Sequence, residues 1–195
     1  MPNWCNNTVE INHPDPAKMY ALVEAINKGE FCKFVIPVPE ELNIVAGSVG
    51  DTNDPKQIQL MEQTEANLKK YGYGNWYDFC VNEWGTKWDV SAYDKVEYDD
   101  QHDKRGITFG FDSAWSPPTG VYEALVEQGF EVRAYYYEPG MAYAGIWEDM
   151  GDDYYEFGGM TSDQVREDLP SALDEMFAIS ESMAEYEAEN EEEEE

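Results

Sequence analysis

Apolar positions change period along the chain, and the changes mark elements. Cys5, Val9 and Ile11 fall in near alternation, which predicts a strand over Cys5–Asn12. His13-Pro14-Asp15-Pro16 ends it. Asp15 is suited to N-cap a helix that starts at Pro16, and Met19, Leu22, Val23 and Ile26 then recur at helical spacing until Gly29. The apolar run Phe31–Pro39, centred on Val35 and Ile36, reads as a short strand that Pro37 and Pro39 confine to an edge or a strand end. Residues 40–56 are Gly/Asn/Asp-rich and read as a loop or insertion. Asp54-Pro55 opens a helix from about 55 to 70 with few apolar members: Ile58, Leu60, Met61 and Leu68. Tyr71-Gly72-Tyr73-Gly74 breaks it. Asn75–Trp84 is a further helix with Trp76, Phe79 and Cys80 on one side, closed by Gly85.

Lys87–Ala92 and Lys95–Tyr98 are strand-like, and Asp99–Lys104 is a turn. Ile107, Phe109 and Phe111 alternate cleanly, which predicts a strand over Gly106–Ser113. Ser116-Pro117-Pro118 starts a helix that runs to Gly129, with Val121, Leu125 and Val126 facing in. Phe130–Tyr137 is a strand, Ala142–Trp147 its hairpin partner, and Tyr154–Phe157 a last short strand. Thr161 or Ser162 caps a final helix with Val165, Leu169, Leu173, Met176 and Met183 in one stripe, kinked or split at Pro170. The order is β-α-β, an insertion, β-α-β, a hairpin strand and a helix. That predicts an α+β, ferredoxin-like split β-α-β sandwich. It carries a helical insertion at about 40–100 and an extra C-terminal hairpin and helix. Residues 1–180 form one domain, and 181–195 are a Glu-rich, low-complexity tail.

Three segments stand out for their tryptophans and small polar residues. Met1-Pro2-Asn3-Trp4-Cys5-Asn6-Asn7 is the first. The second is Asn75-Trp76-Tyr77-Asp78-Phe79-Cys80 followed by Trp84-Gly85-Thr86-Lys87-Trp88-Asp89. The third is Phe111-Asp112-Ser113-Ala114-Trp115-Ser116-Pro117-Pro118, with Glu138-Pro139-Gly140 and Tyr143-Ala144-Gly145 downstream. Their types suit packing: large rings to bury, and Asn, Asp and Ser to cap helices and satisfy turns. In this order, over residues 1–147, they resemble the YubB-type ferredoxin-like family of bacteriophage and plasmid proteins. The resemblance implies a ferredoxin-like fold and an origin on mobile elements. The family has no assigned biochemical activity, so the resemblance supplies no functional residues.

The charge changes the picture. The chain of 195 residues has 42 acidic and 12 basic side chains, a net charge of −30. Such a chain repels polyanions, so direct nucleic-acid binding and adsorption to anionic membranes are excluded. With 42% hydrophobic residues it is still a folding chain. Residues 1–105 carry 18 acids and 10 bases; residues 106–195 carry 24 acids against Arg133 and Arg166. The tail alone holds nine Glu. Three scattered cysteines, no apolar run of the ~18–20 residues a span needs, and no signal-like start point to the cytoplasm of a bacterial host cell.

Candidate chemistry is sparse. His13 and His102 are the only imidazoles, and no Cys or His pair has zinc spacing, so no metal or cofactor is implied. The turn acids Asp99, Asp100 and Asp103 do not follow a calcium-loop pattern. Lys104–Phe111 matches an RNA-recognition signature at Arg105, Gly106 and Phe109, but Ile107 replaces a stacking aromatic, and the segment reads as a core strand. Two functional readings compete. The first is a non-enzymatic accessory protein that binds a basic host or element protein through an acidic face. Its candidate contacts are Glu148, Asp149, Asp152, Asp153, Glu156, Asp163, Glu167 and Asp174, and fixed carboxylates there would mimic nucleic-acid phosphates. The alternative is a small-ligand-binding protein or enzyme. Its pocket would gather Trp76, Asp78, Trp84, Trp88, Asp89, Asp112 and Trp115 around a base or a cation.

Overall fold

A computed structural model of the protein describes residues 3–47, 54–99 and 106–194. The expected turn after Asp99, with Asp100, His102 and Asp103, lies outside them, as do Lys104 and Arg105. Among the described residues there are five strands: β1 (Trp4–Asn12), β2 (Gly106–Ala114), β3 (Glu131–Glu138), β4 (Tyr143–Glu148) and β5 (Gly151–Glu156). They form one antiparallel sheet in the order β2-β1-β3-β4-β5. The protein is a mixed α+β fold.

The sheet follows from strict alternation. In β1 every second residue from Cys5 to Ile11 is buried. Register lines up Val9 with Phe109 of β2 and with Ala134 of β3, and Ala134 with Trp147 of β4. These residues floor the main core. Three helices pack on that floor: α1 (Pro16–Asn27), α2 (Phe31–Val35) and α5 (Thr119–Glu127). Asp15 caps α1 by accepting the Ala17 N–H at 2.9 Å, and Pro16 occupies its first turn, as the sequence leads one to expect. Between β2 and β3 the chain crosses through α5 while β1 lies between the two strands, so β2 and β3 run parallel without touching.

The run Phe31–Pro39 is not a strand. Its first five residues form α2, with Phe31, Cys32 and Val35 buried on one side. A short apolar run fits either period, and here the deciding bonds come from far away. The Asp89 carboxylate accepts the Cys32 N–H at 2.8 Å and the Lys33 N–H at 3.1 Å. The strand-like stretches at 87–98 form no strand either. Their contribution to the sheet is one bridge, Ala92 to Phe111 on the β2 edge.

The expected insertion is helical. It contains a 3₁₀ turn (Glu40–Leu42), α3 (Pro55–Tyr71) and α4 (Trp76–Phe79), which runs on as a π turn (Cys80–Trp84). Gly72 and Gly85 end these two pieces in the left-handed conformation, φ 81° and 86°. The helix before β3 starts at Thr119 rather than at Ser116, because the Pro117-Pro118 pair holds a non-helical corner.

The stretch after β5 is three helices rather than one: α6 (Ser162–Asp168), α7 (Ser171–Phe177) and α8 (Ile179–Glu194). Pro170 keeps Leu169 extended, and Ala178 at φ 50° separates α7 from α8. Val165, Leu169, Leu173 and Ile179 close a second core on the other face of the sheet, over Tyr135, Ala144 and Ile146. The acids of these helices also fasten them. Asp174 accepts the N–H and hydroxyl of Ser180 at 2.7 and 2.6 Å. Glu187, inside the Glu-rich segment, accepts the N–H and hydroxyl of Ser162 at 2.9 and 2.7 Å.

Those two Ser162 bonds hold the Glu187 carboxyl below its ordinary value of 4.5. A depressed carboxyl stabilises the fold above its unfolded pKa and loses that contribution as pH falls through the folded value. Glu187→Gln should therefore lower the melting temperature at pH 7, and the gap to the unmodified protein should close on acidification below about 4.5. Thermal melts of both proteins between pH 7 and 3 check this; a gap that does not change with pH contradicts it.

Candidate functional site

The three tryptophan-rich segments meet at one end of the sheet. Asn7, on β1, is fully enclosed and donates to the Cys5 carbonyl and to Ser113 Oγ, each at 2.8 Å. The Ser113 hydroxyl donates to the Ser116 carbonyl at 2.8 Å, and the Ser116 hydroxyl donates to the Gly85 carbonyl. Thr86 Oγ1 donates to the Ala114 carbonyl at 3.0 Å. One chain of hydrogen bonds thus ties β1, the β2–α5 corner and the end of the π turn. Gly120 lets α5 press on the same turn: a Cβ there would sit 2.1 Å from the Glu83 carbonyl oxygen. Glu138, also buried, accepts the Gly140 N–H at 3.0 Å and the Met141 N–H, and so caps the β3–β4 turn. Among the described residues no buried side-chain nitrogen or oxygen lacks a partner.

The clamp presents an aromatic surface. Trp4, Trp88 and Trp115 are 45%, 39% and 41% exposed, so each indole is held only in part by the fold. The Trp4 and Trp88 rings lie 6.0 Å apart, and Trp115 meets Tyr77 edge-on at 6.4 Å. The Lys87 ammonium sits among them, 4.4 Å from the Trp88 ring, 5.3 Å from Trp115 and 5.5 Å from Tyr77. Two clefts open beside it. One, of about 310 Å³, is lined by Trp76, Trp84, Trp88, Asp89 and Lys87. The other, of about 540 Å³, is lined by Trp76, Tyr77, Asp78, Trp115 and Lys87.

Trp115 has φ 71°. Its carbonyl accepts the Tyr143 hydroxyl, and its N–H donates to the Asn3 carbonyl at 3.0 Å. A left-handed bulky residue costs about 1–3 kcal/mol, which glycine would avoid.

The pocket expected from sequence is gathered in part. Trp76, Trp84, Trp88 and Asp89 share one cleft, and Trp76, Asp78 and Trp115 share the next. Asp112 lies elsewhere, on the opposite face of the sheet, where it accepts from Asn6 Nδ2 at 2.6 Å and from the Tyr93 hydroxyl at 2.5 Å. Asp89 is engaged as the cap of α2, and Asp78 accepts from Asn75 Nδ2 at 2.8 Å. Trp84 donates its indole N–H to the Ile36 carbonyl at 2.9 Å. The aromatic walls already hold a cation, the chain's own Lys87, which the sequence reading left out. The motif Gly85-Thr86-Lys87-Trp88 was visible, but its closeness to Trp115 was not.

The eight acids of the expected face do not share one surface. On β5, Asp152 and Glu156 point to one side of the sheet and Asp153 to the other, because strand side chains alternate. Asp152 accepts the Tyr136 hydroxyl at 2.6 Å, and Glu156 accepts from Tyr154 at 3.3 Å. Glu148 lies 3.0 Å from Arg133, and Asp163 lies 3.0 Å from Arg166. Asp174 is the cap of α8. Asp149, Asp153 and Glu167 are exposed.

Other chemistry finds little footing. Burial pushes the Cys5 and Cys80 thiols up to about 12 and raises Cys32 as well, which suppresses the thiolate needed for nucleophilic attack. Ile107 and Phe109, the positions where an RNA-recognition strand would stack bases, are buried in the main core. Among the described residues no helix is long and apolar enough to cross a membrane.

No family model matches the chain, and no curated protein matches it. Among solved structures it is similar to the crystal structure of a protein api92 from Yersinia pseudotuberculosis, of the family model DUF1281. The identity is 13% and the TM-score 0.39, over 82% of this chain and 99% of that one. A likeness at that level assigns neither function nor site.

The Asp89 carboxylate is partly buried, and that burial raises its pKa although three backbone N–H groups oppose the rise. It caps α2 and lines the smaller cleft. Asp89→Ala should cost about 1–2 kcal/mol of stability. Urea unfolding measures this; a loss below 0.5 kcal/mol would show that α2 does not depend on the cap.

Proposed function

We propose that the protein is a non-enzymatic accessory protein of a bacteriophage or plasmid, acting in the cytoplasm of the bacterial host. In this reading its acidic C-terminal half engages a basic protein that handles nucleic acid, and carboxylates stand in for phosphates. One observation carries the proposal. Residues 106–195 hold 24 acids and two bases. Both bases, Arg133 and Arg166, are paired with carboxylates at 3.0 Å. No uncommitted cation is left in that half to weaken its field. Such a field draws a basic surface in at long range and speeds association, and salt screens it. The carboxylates are carried on β5 and on helices fixed over the second core, so their spacing is set by the fold.

The resemblance in the tryptophan motifs supports the mobile-element origin, and the sheet supports the ferredoxin-like reading. The β2-α5-β3 crossover split by β1 is one half of that plan. The Ala92–Phe111 bridge stands where the closing strand of the first half would pair with β2.

The test is capture from a bacterial host lysate at low salt. It compares the unmodified chain with a variant carrying Asp149→Asn, Asp153→Asn, Glu156→Gln and Glu167→Gln. None of these four caps a helix or bonds to a backbone amide among the described contacts. The unmodified chain should retain a basic protein that elutes with added salt, and the variant should retain at least about tenfold less. Equal retention by both, or recovery of no basic protein, contradicts the proposal.

A further inference from the structure

The aromatic surface is a second, separate feature. It lies on β1, α4 and the turns of the clamp, and three of its indoles are partly exposed. Trp115 is the clearest case. Its backbone sits in the left-handed region, where glycine is the stable choice, and its indole is 41% exposed. Packing against Tyr77 and Lys87 uses part of the ring and leaves the rest open to a partner. Trp4 and Trp88 are exposed to the same degree beside it. Lys87 shows what the rings accept. In a chain of net charge −30, its ammonium has three aromatic rings within 5.5 Å and no carboxylate within 4 Å among the described residues.

We propose that Trp4, Trp88 and Trp115, with Tyr77, form the docking platform for arginine side chains of a basic protein partner, and that Lys87 is a resident cation which the incoming guanidinium displaces from the ring faces. This rests on the partner being basic, as proposed above, and assigns where it is held. The occupant follows from charge and geometry. The chain as a whole repels anions and attracts cations, and exposed indoles are the best cation–π acceptors among side chains. Guanidinium is planar, weakly hydrated and able to stack, so arginine suits such rings better than lysine does. Exposed tryptophans that exclude water from the centre of a contact are the residues on which binding energy concentrates. The acidic half then governs the approach of the partner, and the platform governs its residence.

The test uses the full chain and a hexa-arginine peptide, titrated by calorimetry, with indole N–H resonances followed by NMR. Trp115→Gly, which relieves the left-handed backbone but gives up the covered part of the ring, should stay folded by circular dichroism and should weaken peptide binding about fivefold. Lys87→Met keeps the stem and removes the resident charge. It should tighten binding severalfold. An anion-binding platform would respond in the opposite sense. Indole shifts should concentrate on Trp4, Trp88 and Trp115. Unchanged binding by Trp115→Gly, weakened binding by Lys87→Met, or no binding of the peptide overturns the proposal. If only the four-carboxylate variant loses the peptide, the platform falls and the acidic-half reading stands. If the two platform variants behave as stated and the four-carboxylate variant binds normally, the platform stands and the acidic-half reading falls.

Discussion

A primary amide that is 1% exposed must find its hydrogen bonds inside the protein, or the fold bears the cost of its desolvation. Asn7 meets this constraint by bonding to the Cys5 carbonyl and to Ser113, and the consequence spreads outward. Ser113 is thereby aimed at the Ser116 carbonyl, and Ser116 at Gly85. Those contacts fix the corner at Trp115 against the end of the π turn. The helical insertion is held to the sheet through that corner, and the exposed rings stand on it. Three segments, 1–7, 75–89 and 111–118, behave as one part because the Asn7 amide and the Ser113 and Ser116 hydroxyls join them in turn.

The local elements were largely legible. Alternation gave β1, β2 and β3, and Asp15-Pro16, Asp54-Pro55 and Thr161 marked helix starts that the structure keeps. Two misses share one cause. At Phe31–Val35 the bonds that select a helix come from Asp89, 57 positions away. Over Lys87–Tyr98 the residue types suit a strand, but the stretch serves as a cap, an aromatic wall and one bridge in turn. In both places tertiary partners decide, and neighbours in sequence carry no trace of them.

The candidate site was legible in its residue types and less so in its arrangement. Trp76, Trp84 and Trp88 line one cleft, and Trp76 and Trp115 the next. Asp112 does not join them, because period-two alternation on β2 turns it to the other face beside Tyr93. The acids show the same effect. A contiguous run on a strand, Asp152-Asp153, must split between two faces, so an acidic stretch in sequence becomes an acidic rim rather than a flat face. Long-range attraction survives that change because it depends on net charge, whereas any phosphate mimicry depends on spacing.

The dependence of this whole region on Asn7 is open to direct measurement. A double-mutant cycle of Asn7→Ala and Ser113→Ala, read by urea unfolding, isolates the coupling between the two side chains. A shared buried network predicts that the double variant departs from the sum of the single variants by about 1 kcal/mol or more. Additivity within about 0.3 kcal/mol would show that Asn7 and Ser113 act independently, and that the corner carrying Trp115 is held by something else.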